Sequence, residues 1–135
     1  HENVKNPGKA APNKADASTV RLRLGYETGT FSGFSAMVEA ESVTALGGKS
    51  YDSKATGATA NGYAVVPDPE ATEMNQAYLS YSSIPASTNV KWGRQRLILD
   101  NARFIGNVGW RQNEQTYDAL TLVNASLPGT RITAA

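Results

Sequence analysis

Residues 18–28 alternate strictly between apolar and polar positions, and this pattern constrains the fold more than any other stretch of the chain. The apolar positions are Val20, Leu22, Leu24 and Tyr26. The intervening positions are mostly charged: Arg21, Arg23, Gly25 and Glu27. Because successive side chains on a β-strand point to opposite faces, the pattern predicts a strand with one apolar and one charged face. Such a strand either turns its apolar face to a soluble core or crosses a membrane, for which about 9–11 residues suffice.

The same two-face pattern returns along the rest of the chain. We predict further strands over 34–41, 74–81, 89–99, 116–124 and from 130 onward. Short turns and longer connections alternate between these strands, the longer ones covering 47–71 and 100–113. Connections in compact soluble domains have a median of about 4–6 residues, whereas outer-membrane barrels pair short periplasmic turns with long external loops.

Aromatic residues at apolar positions flank the first two short turns: Tyr26, Phe34, Tyr81 and Trp92. Amphipathic rings at one level are what the lipid-facing girdle of a membrane barrel requires. We therefore predict an all-β fold, an antiparallel up-and-down transmembrane β-barrel, with a loop over 1–17 and three hairpins over 18–135. The alternative is a soluble all-β binding module in which the apolar strand face forms the core.

The number of predicted strands is too small for a closed membrane barrel. The smallest such barrels have about eight strands, and this chain predicts about six. We therefore expect the chain to be part of a single larger barrel domain whose remaining strands are missing from it. The start at His1 without a methionine also predicts a processed or partial chain.

The fourth predicted strand breaks the alternation. Continued strictly from Val90 and Trp92, the pattern would place Arg94 and Arg96 in lipid. A charge at the bilayer midplane costs about 2–4 kcal/mol. We therefore predict a β-bulge near Gly93 that rotates both arginines to the charged face.

The composition excludes several classes of function. The only histidine among the 135 residues is His1, and there is no cysteine, so neither a histidine-based catalytic triad nor a thiolate metal site is available. The net charge is +1, which predicts no nucleic-acid partner. The longest apolar runs span only a few residues, which excludes a transmembrane helix. We expect no catalytic residue, no cofactor and no resident metal.

Three segments resemble the alginate-export-type outer-membrane porins of Gram-negative bacteria. They are NQAYLSY at 75–81, GRQR at 93–96 and DNARFIGNVGWRQNEQTYDA at 100–119. The resemblance runs from about residue 18 to the end of the chain. It implies a monomeric barrel of many strands in the outer membrane, in contact with its lipid. It also implies an arginine-lined pore that passes anionic or small polar solutes, including an anionic polysaccharide such as alginate.

On this basis ten charged residues are candidates for the pore lining: Arg21, Arg23, Glu39, Glu41, Arg94, Arg96, Arg103, Arg111, Asp118 and Arg131. One interpretation is a ladder of fixed positive charge that attracts anions into the lumen. The other is that the arginines pair with the carboxylates, which makes the wall rigid and weakens the preference for anions. Both interpretations stay open, and each can hold for different residues.

Other carboxylates have weaker functional interpretations. Glu39 and Glu41 lie about 7 Å apart by strand rise, a separation that suits a glycosidase pair, but any alternating polar face produces such pairs. Asp68, Glu70 and Asp100 lie in loops and offer oxygen ligands for Ca²⁺, although solvated loop charge explains them better. The 100–113 loop either folds into the pore and constricts it or packs outside on its neighbours.

Overall fold

The computed structural model describes residues 1–5, 14–47, 50–52, 63–83 and 86–135. These residues form eight β-strands and no helix. The strands are β1 (Glu2–Lys5), β2 (Lys14–Ala17), β3 (Thr19–Glu27), β4 (Phe34–Ala45), β5 (Ala71–Ser83), β6 (Thr88–Gln95), β7 (Tyr117–Asn124) and β8 (Ile132–Ala134). None of the described residues forms a helical membrane span.

The strands form two sheets. β1 and β2 pair antiparallel as a two-stranded sheet, and β3 to β8 form a six-stranded sheet in sequence order. The order confirms the predicted all-β, antiparallel, up-and-down arrangement of six strands. In the part of the chain that the structure describes, this sheet is open, with β3 and β8 at its edges.

The prediction of a loop over 1–17 is wrong for two short segments. β1 and β2 form a hairpin in which Glu2 pairs with Ala17 and Lys5 pairs with Lys14. In β2 the two alanines are buried and the two charged residues between them are exposed. This alternation escapes a sequence reading because alanine adds little hydrophobicity and also occurs in loops. Residues 6–13, also within the predicted loop, lie outside the described residues.

The predicted bulge near Gly93 is also absent. β6 keeps continuous register with both neighbours, from Arg94 opposite Ala77 and Asp118 to Thr88 opposite Ser83 and Asn124. Gly93 instead has a φ of +125°, and a side chain there would collide with the Ala77 carbonyl oxygen. The backbone therefore changes conformation at Gly93 without an extra residue, and β6 ends two residues later rather than continuing to residue 99.

Gly93→Ala should therefore destabilise the β5–β6 hairpin by about 1–3 kcal/mol, since an L side chain there meets both an unfavourable φ and the backbone of β5. The urea midpoint of the folded protein measures the change. Gly29→Ala is the matched control, because a Cβ at Gly29 has no atom within 4 Å and its φ is not positive. Equal midpoints for the two variants would contradict this assignment.

The six-stranded sheet has an exposed apolar face. The large apolar residues exposed on it are Val20, Leu22, Leu24, Tyr26, Phe34, Val38, Leu79, Tyr81, Trp92, Leu120 and Leu122. Leu24 is 77% exposed and Trp92 is 67% exposed. We call this side of the sheet the apolar face.

The opposite side, which we call the polar face, carries most of the buried residues of the sheet. The buried residues of its strands are Glu39, Glu41, Val43, Asn75, Gln76, Ser80, Gln95 and Thr121. All of them except Val43 are polar or charged. A soluble antiparallel sheet packs its apolar face and hydrates its polar face, so this distribution is inverted.

The chain divides into two compact units. The first comprises residues 1–22, 41–73 and 108–114, and the second comprises residues 23–40, 74–107 and 115–135. The first unit contains a small apolar core with Val4 packed against it, formed by Ala15, Ala17, Tyr51, Ala64 and Val66. The second unit contains the whole of β6, β7 and β8 together with the short turns that join β3 to β4 and β7 to β8.

Candidate pore-lining site

Glu39 is the centre of a charged cluster in the second unit. It lies on the polar face of β4 and is 8% exposed. Its Oε1 atom accepts hydrogen bonds from Asn75 Nδ2 at 2.7 Å and from Gln76 Nε2 at 3.3 Å. The same atom lies 2.5 Å from an Arg96 guanidinium nitrogen and 3.5 Å from Arg23 Nε. Four donors therefore converge on one carboxylate.

In this cluster two guanidinium groups share the Glu39 carboxylate. The arginine side chains are the more accessible partners, with 26% of Arg23 and 29% of Arg96 exposed against 10% of Glu39. A solute that approaches the polar face therefore meets the arginines first. The pairing with Glu39 agrees with the second interpretation from the sequence, and attraction of anions by these arginines stays a prediction.

Two features of the neighbouring strands determine the position of the Glu39 side chain. Gly25, on the polar face of β3, has no side chain, and a Cβ there would lie 3.3 Å from Glu39 Cβ and Cγ. Asn75 and Gln76 are consecutive residues of β5, yet both bond the same carboxylate. Consecutive side chains of a regular strand point to opposite faces, so β5 departs from strict alternation at this point. Sequence reasoning missed both amides as site residues, and their only signal was two polar residues in succession inside a predicted strand.

Arg94 and Asp118 are not part of this cluster. They lie opposite one another on β6 and β7, in the row next to Trp92 and Leu120 on the apolar face. Arg94 Nε donates to Asp118 Oδ1 at 2.9 Å, and a terminal Arg94 nitrogen donates to Oδ2 at 2.8 Å. This bidentate pair corrects the prediction that a bulge would turn Arg94 to the same side as Arg96.

Arg96 reaches Glu39 for a different reason from the predicted one. β6 ends at Gln95, and Arg96 is the first residue of the following connection. Gln95 is buried on the polar face, where its Oε1 accepts a hydrogen bond from Thr121 Oγ1 at 2.9 Å and its Nε2 donates to the Ala119 carbonyl at 2.9 Å. Because β6 ends at Gln95, the side chain of Arg96 does not follow the alternation of the strand. It therefore reaches the polar face without a bulge.

A polar-face cavity of about 940 Å³ lies in the second unit. Its charged lining residues are Lys91, Arg96, Asp100 and Arg131. Leu97, Ile98 and Leu99 from the connection after β6 contribute its apolar lining. Three cations against one carboxylate make this cavity electropositive, which suits an anionic solute.

Segment 108–114 belongs to the first unit, where β3 and the N-terminal hairpin hold it. An Arg21 guanidinium nitrogen donates to the carbonyls of Arg111 at 3.1 Å and Gln112 at 2.9 Å. Gln112 Nε2 donates to Thr19 Oγ1 at 2.7 Å, and Arg111 donates to a Glu2 carboxylate oxygen at 2.8 Å. Arg21 alternates with the apolar residues of β3, so this segment lies against the polar face of that strand.

The remaining candidates lie in different places. Glu41 is buried on β4 in the first unit, and Arg103 lies beside the exposed ring of Phe104 in a loop of the second unit. The Asp68 carboxylate accepts a hydrogen bond from the backbone amide of Gln112, and the Glu70 carboxylate accepts one from the backbone amide of Ala45. Among the described residues there is no group of three or more carboxylates and histidines that would hold a metal ion.

The four predicted girdle aromatics all lie exposed on the apolar face of the second unit. The rings of Phe34 and Tyr81 are in contact, with centroids 4.7 Å apart. Gly33 permits this arrangement, because a Cβ there would lie 2.9 Å from the Tyr81 ring and its φ is +86°. The Gly33 carbonyl also accepts a hydrogen bond from the Ser82 amide at 2.8 Å. The tip of the β3–β4 hairpin is thereby fixed against β5.

The sequence model of the alginate export family matches residues 28–129, which is more than half of the chain. The chain belongs to the alginate export family. The match confirms the resemblance noted from the sequence and includes all three segments that carried it. Searches of curated proteins and of solved structures each found no match.

The alginate export family is a family of outer-membrane transport proteins. Outer-membrane transport is therefore the general role that family membership supports for this chain. It also agrees with the open, all-β sheet of the described residues.

Proposed function

We propose that this chain is part of the wall of an outer-membrane porin that passes anionic solutes, and anionic polysaccharide of the alginate type in particular, by passive diffusion. The inverted burial of the six-stranded sheet carries the proposal. Its apolar face is exposed, whereas its buried residues are almost all polar. Such a sheet is stable when lipid covers its apolar face and water covers its polar face.

On this proposal the apolar face contacts the hydrocarbon of the outer membrane. Tyr26, Phe34, Tyr81 and Trp92 then form part of the interfacial girdle near the short turns, which lie on the periplasmic side. The Arg94–Asp118 pair lies on the side of Trp92 away from the β5–β6 turn. Because Arg94 follows Trp92 by only two residues, about 7 Å along the strand, we assign the pair to the apolar band beside the girdle, where a charge costs less than at the midplane and the two charges pair with each other.

The polar face then lines the lumen. Arg23, Arg96 and Arg131 are exposed on it or border its cavity, and they supply fixed positive charge along the path. A uronate polymer carries one carboxylate per sugar, so successive arginines attract it without any bond being made or broken. The chain therefore acts in transport and not as an enzyme.

Six strands do not close such a barrel. We infer that further strands pair with the free edges of β3 and β8 in the complete barrel, because an unpaired strand edge is not stable in lipid. We also propose that segment 108–114 projects into the lumen from its anchorage on Arg21 and narrows the pore.

Extraction and reconstitution test the proposed function. The protein should stay in the outer-membrane fraction until detergent is added, and the purified protein should form anion-preferring channels in a planar lipid bilayer. A soluble binding module would instead be released in aqueous buffer and leave the bilayer non-conducting. Such release, or the absence of channels from detergent-purified protein, would contradict the proposal.

A further inference from the structure

We propose that Glu39 sets the strength of the anion preference, by standing as a resident carboxylate behind the two arginines that a carboxylated solute meets. This inference rests on the proposed function, because it assumes that the polar face lines a conducting lumen. It assigns Glu39 a role opposite in sign to that of the arginines. Glu39 weakens their attraction for anions and at the same time holds them in position.

The geometry places Glu39 behind the arginines. Its carboxylate is nearly covered, whereas Arg23 and Arg96 are each more than a quarter exposed. Both guanidinium groups lie within ion-pair distance of the same oxygen atom. A passing carboxylate would therefore approach the outer side of guanidinium groups whose inner side already contacts a carboxylate.

The position of Glu39 is fixed from several directions. Asn75 and Gln76 donate to it from β5, and on the β3 side only the absent side chain of Gly25 leaves it room. A carboxylate with four donors around one oxygen is not free to rotate into the lumen. It therefore acts as a constant local charge and not as a mobile gate.

The charge of Glu39 has a functional consequence for a polymer. Conduction needs sites that bind strongly enough to admit a solute and weakly enough to release it. Without the Glu39 carboxylate, the net charge beside the two arginines would be more positive by one unit. A polyanion with many carboxylates is attracted at each such site. Because Glu39 weakens this attraction, the polyanion is released more readily and continues through the pore.

Glu39→Gln tests this proposal, because it removes the charge and retains the approximate shape and a carbonyl acceptor. We expect the anion-to-cation permeability ratio in a KCl gradient to rise by about two- to threefold. This is the Coulomb effect of one charge at about 6 Å in water with partial salt screening. Glucuronate oligomers added to the bath should also block each open channel for longer than in the wild-type protein.

Two further variants separate the lumen charge from other effects. Glu39→Asp keeps the charge and should keep the wild-type permeability ratio, even where the shorter side chain lowers the yield of folded protein. Asp118→Asn removes one negative charge from the apolar face, and channels that do insert should keep the wild-type ratio. Only folded barrels conduct, so a lower yield does not alter a permeability ratio.

The outcomes are distinguishable. Wild-type channels with an unchanged ratio in Glu39→Gln would overturn the role of Glu39 and leave the proposed transport function standing. An equal rise in Asp118→Asn would also overturn it, since the effect would then come from net charge alone. If the wild-type protein forms no channel, the proposed function fails and the role of Glu39 fails with it.

Discussion

The double variant Arg23→Gln/Arg96→Gln is expected to lower the anion-to-cation permeability ratio by roughly four- to ninefold. Both residues contact Glu39 on the polar face, so the substitution removes two positive charges from the cluster. Glutamine removes the charge and keeps an amide that donates hydrogen bonds, which limits the structural damage. Reversal potentials of the reconstituted protein in a KCl gradient measure the ratio.

Arg94→Gln is the matched control for this experiment. Arg94 lies two residues before Arg96 and within the same family-like segment, but its guanidinium pairs with Asp118 on the apolar face. We expect its permeability ratio to remain within experimental error of the wild-type value. If Arg94→Gln lowers the ratio as much as Arg96→Gln does alone, the assignment of the two faces is wrong.

Leu24→Arg is expected to prevent most of the protein from folding into the membrane. Leu24 is largely exposed on the apolar face near the middle of that face of β3, and an arginine at the bilayer midplane costs about 2–4 kcal/mol. If water rather than lipid covers this face, the same change at an exposed position would alter stability by less than about 0.5 kcal/mol. Contact with lipid and contact with water at Leu24 therefore predict opposite results for one variant.

The fraction of heat-resistant folded protein after dilution into lipid vesicles measures this effect. Leu127→Arg is the control, because Leu127 is also exposed but lies in the short turn between β7 and β8. It should fold as well as the wild-type protein. Equal folding of Leu24→Arg and Leu127→Arg would exclude lipid contact at Leu24.

Much of the sheet was predictable because side-chain alternation has a single structural cause. β3 and β7 begin and end within one or two residues of their predicted limits, and the exposed apolar face contains the residues that alternation assigned to lipid. β4 and β5 were predicted too short, since Val43 and Thr72 extend them past the clear alternation. The existence of each long strand followed from periodicity, whereas its ends depend on pairing with neighbours.

The wrong and missed predictions concern features that depend on contacts between strands. The Arg94–Asp118 pair could not be predicted from one strand, because the energy of a charge on the apolar face depends on the residue opposite it on β7. The bulge was inferred as if Arg94 were unpaired. Similarly, the convergence of Arg23, Asn75 and Arg96 on Glu39 depends on three strands and a strand end, which no local pattern encodes.

The first unit contains a small apolar core, so burial of apolar side chains within the protein contributes to its stability. Ala15, Ala17 and Val66 are almost fully buried there, as in a water-soluble protein, and alanines contribute little buried area. Chaotropes weaken this type of burial directly, whereas strands embedded in lipid resist them. If the six-stranded sheet lies in lipid as proposed, moderate urea should loosen the N-terminal hairpin first, and a protease added at that stage should remove the hairpin and leave the sheet intact.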